Sequence, residues 1–200
     1  MEPIRNIFLV SLLSFLLCAC GETLSHEELL RYIQEPANGL TRKEEQGLLR
    51  ASLTYRPADL LVWQELGDKP EINDSLLRNA EERYDAYWYF ILSLSQDGRD
   101  PLGGVPALAD NLQKLSFELD RYVYAVIDQS DTIFLSDYYT PRLFGISGAA
   151  PVLLAFRKKG SFEQLDVIFQ GFGGAGMRFP FSRRDIDRIP RLDFQPKPSS

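Results

Sequence analysis

Two segments of this 200-residue chain alternate regularly between apolar and polar residues, one at Leu49–Tyr55 and one at Trp88–Leu94. Because successive side chains of a β-strand point to opposite faces, a period of two predicts strands with one buried face. The continuous apolar run Val152–Phe156 predicts a central strand that is buried on both faces. Shorter strand-like patterns lie at Phe117–Asp128, Thr132–Tyr138, Leu165–Phe169 and Met177–Phe181. Strands are therefore expected to dominate the fold.

Helical patterns are short and lie among the predicted strands. A capping-box pattern at Ser25–Glu28 starts a helix that Pro36 ends. Three further helices are predicted, one between Pro57 and Gly67, one capped by Asp74 or Ser75, and one at Pro106–Leu115. Together the patterns predict an α+β or mainly β fold, a single antiparallel-sheet (sandwich-like) domain with a few short helices.

The composition disfavours several classes of site. The chain contains two cysteines and one histidine, which are Cys18, Cys20 and His26. All three lie near the N-terminus, so we expect no disulfide scaffold, Cys/His zinc site, thiol catalysis or histidine-based triad in the rest of the chain. The formal charge of −6 argues against nucleic acid as a partner.

The N-terminus has the layout of a secretory leader. Arg5 precedes the apolar run Ile7–Leu17, which is about half as long as a membrane span requires. The run ends in Leu17-Cys18-Ala19-Cys20-Gly21, which resembles the lipobox of a bacterial lipoprotein with a type II signal peptide. That resemblance implies cleavage before Cys20, a diacylglycerol on its thiol and an acyl chain such as palmitate on its new amine.

This resemblance implies a location and a domain organisation. More than one acyl chain anchors a protein firmly to a membrane. The absence of aspartate at Gly21 favours the outer membrane of the cell envelope, and either the periplasmic or the surface face is possible. We expect a signal peptide at 1–19, a lipidated anchor and spacer with a short helix at 20–47, a globular domain at 48–192 and a flexible tail at 193–200.

The mature chain is also similar to small lipoproteins of uncharacterised function in Bacteroidota-type envelopes. The resemblance depends on four short motifs, at residues 36–40, 55–57, 138–142 with Gly145, and 185–190. It implies a location and no activity.

Motifs that suggest catalysis or cofactors fail on their context. Gly171–Gly176 matches a dinucleotide-binding loop, but the strand-like Met177–Phe181 follows it where a helix is required. Gly145–Ala149 lacks the final glycine of a nucleophile elbow. Close aspartate pairs, such as Asp128 with Asp131, are typical of turns and lack the rhythm of a calcium loop. We therefore predict no catalytic residue, no cofactor and no metal ligand.

Aromatic residues supply the candidate binding surface. Alternation places Trp88 and Phe90 on the buried face of their strand, and Tyr87 and Tyr89 on the opposite face. Tyrosine has an apolar ring and a polar hydroxyl, and so suits protein interfaces and sugar stacking. The predicted exposed surface consists of Tyr87, Tyr89, Tyr138 and Tyr139.

The function predicted from these features is that of a lipid-anchored envelope protein that is not an enzyme and that binds another protein or assists assembly. The alternatives are a carbohydrate-binding surface module and a hydrolase that uses two carboxylates. The expected partners are the membrane, through the anchor, and another envelope protein or a glycan.

Overall fold

The computed structural model of the chain describes residues 23–47, 49–67, 72–96, 117–140, 150–170 and 176–194. Within these ranges it contains eleven strands and four α-helices. In chain order they are β1 (Thr23–Leu24), α1 (His26–Gln34), β2 (Thr41–Gln46), β3 (Leu49–Arg56), α2 (Ala58–Leu66), α3 (Asp74–Asp85), β4 (Tyr87–Gln96), β5 (Val123–Ile127), β6 (Asp131–Phe134), β7 (Asp137–Tyr139), β8 (Ala150–Arg157), β9 (Gln164–Phe169), β10 (Met177–Ser182), α4 (Arg183–Asp187) and β11 (Arg191–Leu192).

The strands form two antiparallel sheets that face each other across one core. The five-stranded sheet has the order β2-β3-β4-β8-β7, and the four-stranded sheet has the order β10-β9-β5-β6. The short strands β1 and β11 pair in parallel beside them. The fold is thus mainly β with a few short helices, which confirms the predicted fold class.

The alternating segments supply the core. Leu53 lies opposite Leu92, which in turn lies opposite Val152, and all three side chains are buried between the sheets. The ring of Phe90 lies 5.0 Å from that of Phe181 in the other sheet. The apolar residues that alternate along these strands therefore lie on the face that packs against the other sheet.

Strand β8 differs from its prediction. Val152, Leu154 and Phe156 are fully buried, whereas Leu153 is half-buried on the opposite face. The run is apolar throughout, but only one of its faces meets the facing sheet.

Local signals predicted α1, α2 and α3, whereas no helix was predicted at α4. Ser25 and Glu28 form the predicted capping box, and α1 ends before Pro36. The cap of α3 is Asn73 and not Asp74 or Ser75, because the side chain of Asn73 accepts a hydrogen bond from the amide of Leu76 at 2.9 Å. Strand β5 begins only at Val123, after a 3-10 turn at Leu119–Arg121.

The sequence predicts that residues 41–46 belong to the spacer, but they form the edge strand β2. Thr41 lies opposite Thr54 of β3, and the two hydroxyls are 3.1 Å apart. Edge strands tolerate charged residues on both faces, so they need not show an alternation of apolar and polar residues in the sequence.

Several predictions lie outside the described residues. They are the leader and lipobox, the helix predicted at 106–115, and the motifs at residues 145–149 and 171–175.

Candidate functional site

The four predicted tyrosines do not form one surface. Tyr87, Tyr89 and Tyr139 lie on the outer face of the five-stranded sheet, whereas Tyr138 lies opposite Leu154 on the inner face and packs against the core. Tyr139 is 64% exposed, and Tyr87 is half-buried. The outer face therefore presents Tyr139 as its exposed aromatic residue among these four.

Tyr89 was expected to be exposed and is only 8% exposed. The ring of Tyr84, on α3, packs edge-on against it with the ring centroids 6.0 Å apart. Burial, together with the neighbouring hydroxyls of Tyr84 and Tyr87, raises the pKa of Tyr89 to about 12. Alternation assigned Tyr89 to the outer face correctly, but it carries no information about the helix that covers that part of the face.

A groove remains open on the outer face beside α2. It has a volume of about 250 Å³ and is lined by Arg56, Leu61, Gln64, Ile91, Tyr139, Pro151 and Leu153. Strand register explains the floor, since Ile91 lies opposite Leu153, which lies opposite Tyr139. We call these seven residues the outer groove.

Arg56 gives the outer groove its charge. Among the residues that the structure describes, this guanidinium has no hydrogen-bond or ion-pair partner. It is half-buried, and burial lowers the pKa of the guanidinium below its usual value. A partly desolvated cation without a partner is costly, and a carboxylate binds a guanidinium through two parallel hydrogen bonds. The outer groove is thus suited to an apolar group that carries a carboxylate.

Sequence reasoning did not identify Arg56 as a site residue, although Tyr55-Arg56-Pro57 was one of the motifs behind the resemblance. Alternation along β3 places Arg56 on the outer face with Thr54. That outward position, at the last residue of a strand, was the available signal. That no described residue pairs with Arg56 is visible only in the tertiary structure.

A second cavity, of about 430 Å³, opens at the end of the sandwich where β3 leads into α2. We call it the end cleft. Its walls come from the start of α2, the last turns of α3, Lys158 and the segment from α4 to β11. Its lining residues are Tyr55, Pro57, Ala58, Asp59, Val62, Glu81, Glu82, Asp85, Lys158, Ile186, Ile189, Pro190 and Arg191.

Four carboxylates line the end cleft, which bears on the two-carboxylate hydrolase. Asp85 accepts from the ammonium of Lys158 at 2.5 Å, and Asp59 accepts from the backbone amide of Leu192 at 3.3 Å. Glu81 and Glu82 have no such partner in the described part of the chain. Both lie on α3, so these two acids come from adjacent positions of one helix and not from facing elements.

Tyr55 is the next-to-last residue of β3. Its side chain lies on the inner face of the sheet and lines the end cleft. The residue is 7% exposed, and its ring packs edge-on against Phe90. Its hydroxyl makes no hydrogen bond with any residue that the structure describes. Burial raises its pKa, and the negative charges of Asp85, Asp59 and Asp187 add to that shift. Tyr55 is therefore a neutral phenol that is able to donate a hydrogen bond into the cleft.

Within the described ranges, no group of three or more metal-ligating side chains is placed to hold an ion. Of the helices in those ranges, none has the length and apolar character needed to span a membrane.

No protein-family model and no curated protein matches the chain. The solved structures to which the chain shows a distant similarity include the following two. One is a DUF4426 family protein from Pseudomonas aeruginosa PAO1, 13% identical, with a TM-score of 0.39 over 71% of this chain and 94% of that chain. The other is a protein of unknown function from Burkholderia pseudomallei K96243, 10% identical, with a TM-score of 0.36 over 83% of this chain and 93% of that one.

Proposed function

We propose that the chain is a lipid-anchored protein of the bacterial outer membrane whose sandwich domain docks another envelope protein through the outer groove. The observation that carries the docking role is Arg56, a half-buried guanidinium that has no partner among the described residues and lies in a mainly apolar groove beside the exposed ring of Tyr139. The role is one of binding, and the domain contributes a preformed surface.

Support for the anchor comes from the sequence Leu17–Gly21, which resembles a lipobox. An apolar run of the length of Ile7–Leu17 is too short to span a bilayer, and it suits a cleaved leader. Cys20 is the residue that would receive the diacylglycerol.

Support for a protein partner comes from the chemistry of the outer groove. Leu61, Ile91 and Leu153 provide an aliphatic floor, and arginine and tyrosine are the residues most enriched at the energetic centres of protein interfaces. A glycan offers hydroxyls, which an aliphatic floor does not satisfy. The complementary ligand is an apolar side chain next to an aspartate or glutamate, as a protein surface provides.

The anchor is tested by metabolic labelling with an alkyne-bearing palmitate, followed by membrane fractionation. We expect the parent protein and the Cys18→Ala variant to be labelled and to sediment with outer membranes. The Cys20→Ala variant should be unlabelled. Equal labelling of the Cys18→Ala and Cys20→Ala variants would contradict the assignment of Cys20.

The docking role is tested by a photocrosslinking residue placed at Gln64, inside the outer groove, and at Phe134, which is 72% exposed on β6. In native envelopes we expect one partner to crosslink at position 64 and not at position 134.

Arg56→Glu should abolish the crosslinked product, and lysine in place of the partner's mapped acidic residue should restore it. Lys43→Glu, on exposed β2, is the matched charge control. A product that survives Arg56→Glu would contradict the proposal, and retention of the domain on a glycan array would favour the carbohydrate alternative.

A further inference from the structure

The end cleft carries charges of both signs that no described residue pairs with. Glu81 and Glu82 on α3 are unpaired, and so is Arg191 on β11, within the part of the chain that the structure describes. The cavity volume of about 430 Å³ is sufficient for a small organic ligand. A ligand complementary to this lining has a cationic and an anionic group in one small molecule.

The hydroxyl of Tyr55 is an independent sign of a ligand. It is a polar group on a side chain that is more than nine-tenths buried, it lines the cleft, and it has no hydrogen-bond partner among the described residues. The hydroxyl oxygen itself is not fully buried and is open to the cleft, so a bound ligand is able to reach it. The oxygen of a neutral phenol accepts a hydrogen bond from an ammonium group, and its proton can be donated to an anion.

The position of the cleft connects it with the membrane. Thr23 of β1 lies opposite Arg191 of β11, so the chain enters the domain beside the cleft. Cys20 precedes Thr23 by three residues, which span at most about 11 Å when fully extended. A lipid on Cys20 would therefore hold this end of the domain at the headgroup layer.

We propose that the end cleft binds a zwitterion that joins a primary ammonium to a phosphodiester, as the ethanolamine phospholipid headgroup does. The ammonium donates to Glu81, Glu82 and the hydroxyl of Tyr55, and Arg191 binds the phosphate. Ile186 and Ile189 contact the carbon stem. This source of the ligand depends on the proposed lipid anchor, whereas the chemistry of the cleft does not.

Affinity for soluble headgroups tests the chemistry. The full chain in a maltoside detergent is titrated with glycerophosphoethanolamine and, as a control, with glycerophosphocholine. We expect at least about tenfold tighter binding of the ethanolamine compound, because a trimethylammonium donates no hydrogen bond to a carboxylate. Equal binding of the two compounds, or binding of neither, would overturn the proposal. Equal binding of acetyl-lysine amide, which lacks a phosphate, would also overturn it.

Variants of the lining residues test which side chains contact the ligand. The double change Glu81→Gln with Glu82→Gln should weaken binding by about tenfold or more, and Tyr55→Phe by about fivefold. Glu44→Gln with Glu45→Gln, on β2, removes the same charge far from the cleft and should leave the affinity unchanged. Thermal midpoints of all variants show whether a loss of binding reflects unfolding. If Arg191→Gln binds as well as the parent, the phosphate contact is wrong.

Vesicles distinguish the source of the ligand. The lipidated chain is inserted into phosphatidylcholine vesicles with and without phosphatidylethanolamine, and protection of the cleft is measured by hydrogen exchange at residues 81–85. Protection only with phosphatidylethanolamine indicates a membrane headgroup, and protection only by the soluble compound indicates a free solute. If Cys20 is not lipidated and the soluble compound still binds, the anchor fails while the cleft assignment stands. If Cys20 is lipidated and neither source binds, the assignment fails and the anchor stands.

Discussion

Gly39 occupies a left-handed backbone conformation, with φ at +70°, after the 3-10 turn Pro36–Asn38. A Cβ atom at this position would lie 2.5 Å from the Oδ2 atom of Asp185. Gly39→Ala would therefore combine backbone strain with displacement of the Asp185 carboxylate, which pairs with Arg42 at 3.7 Å. We expect a fall in the free energy of unfolding of about 2 kcal/mol, measured by urea denaturation.

Gly160→Ala is the matched control for that change. Gly160 has φ at +63°, and nothing lies within 4 Å of a Cβ built there. The free energy of unfolding of the Gly160→Ala variant should fall only by the cost of backbone strain, about 1 kcal/mol. Equal losses for the two variants would show that the contact with Asp185 is unimportant.

Glu28 makes the stability of the chain pH-dependent. Hydrogen bonds to its carboxylate from the hydroxyl and then from the backbone amide of Ser25, at 2.7 Å and 2.9 Å, lower the pKa of Glu28 below 4.5. A folded-state pKa below the unfolded value stabilises the fold above about pH 4.5, and this contribution is lost as the pH falls through the folded-state pKa.

Glu28→Gln should therefore reduce the acid sensitivity of folding. Glutamine retains an acceptor for Ser25 but does not titrate. We expect the urea midpoint of the variant to lie below that of the parent at pH 6 and to approach it as the pH falls below 4.5. Glu44→Gln is the control for removing one charge. A constant difference between Glu28→Gln and the parent across this range would refute the prediction.

Among the elements, β2 shows how charge joins the two sheets. Arg42 donates from Nε to the carbonyl of Pro180 in β10 at 2.8 Å, and its guanidinium lies 6.0 Å from the ring centroid of Phe181. Proline lacks an amide proton, so a strand that contains one suits a sheet edge. The contact therefore links edge strands of the five-stranded and four-stranded sheets.

Arg42→Ala should lower the free energy of unfolding by about 1–2 kcal/mol, because it removes a charge-assisted hydrogen bond across this edge. Lys43→Ala changes the next residue, which is exposed, and should have an effect below about 0.5 kcal/mol. Urea denaturation of the two variants measures the comparison. Equal effects would mean that the link between β2 and β10 adds no stability.

The elements also show what local sequence is able to predict. The capping box of α1 needs only residues three apart in the chain, so it was predicted correctly. The assignment of β2 required knowledge of its partner β3, because its own charged sequence has no alternating apolar face. In the site, the sequence predicts exposure of both Tyr138 and Tyr139, but neighbouring residues of a strand point to opposite faces, and of the two only Tyr139 is exposed. Burial of Tyr89 depends on α3, which precedes β4 and packs against its outer face.

At the scale of the whole molecule, Phe90 connects the sheets. Its ring contacts those of Tyr55 and Phe156 in its own sheet and that of Phe181 in the other. We expect Phe90→Ala to lower the free energy of unfolding by about 3–5 kcal/mol. The unfolding midpoints measured by tryptophan fluorescence and by far-ultraviolet circular dichroism should shift by the same amount, because both sheets share one core.

Phe134→Ala is the control, since that ring is mostly exposed and its removal should cost less than about 0.5 kcal/mol. Two separated transitions in the Phe90→Ala variant would show that the sheets unfold independently.

Sequence alone determined the fold class, the buried faces of β3 and β4 and the capping box of α1, because each follows from periodicities and hydrogen bonds that act over a few residues. The tertiary structure alone decided the two candidate sites. Tyr55 and Arg56 are neighbours on β3, yet one lines the end cleft and the other the outer groove. Whether such a group finds a partner depends on elements distant in the chain, since α2, α3 and β11 build the walls around them. A chemical role that arises from a missing partner is therefore visible only after the elements have packed.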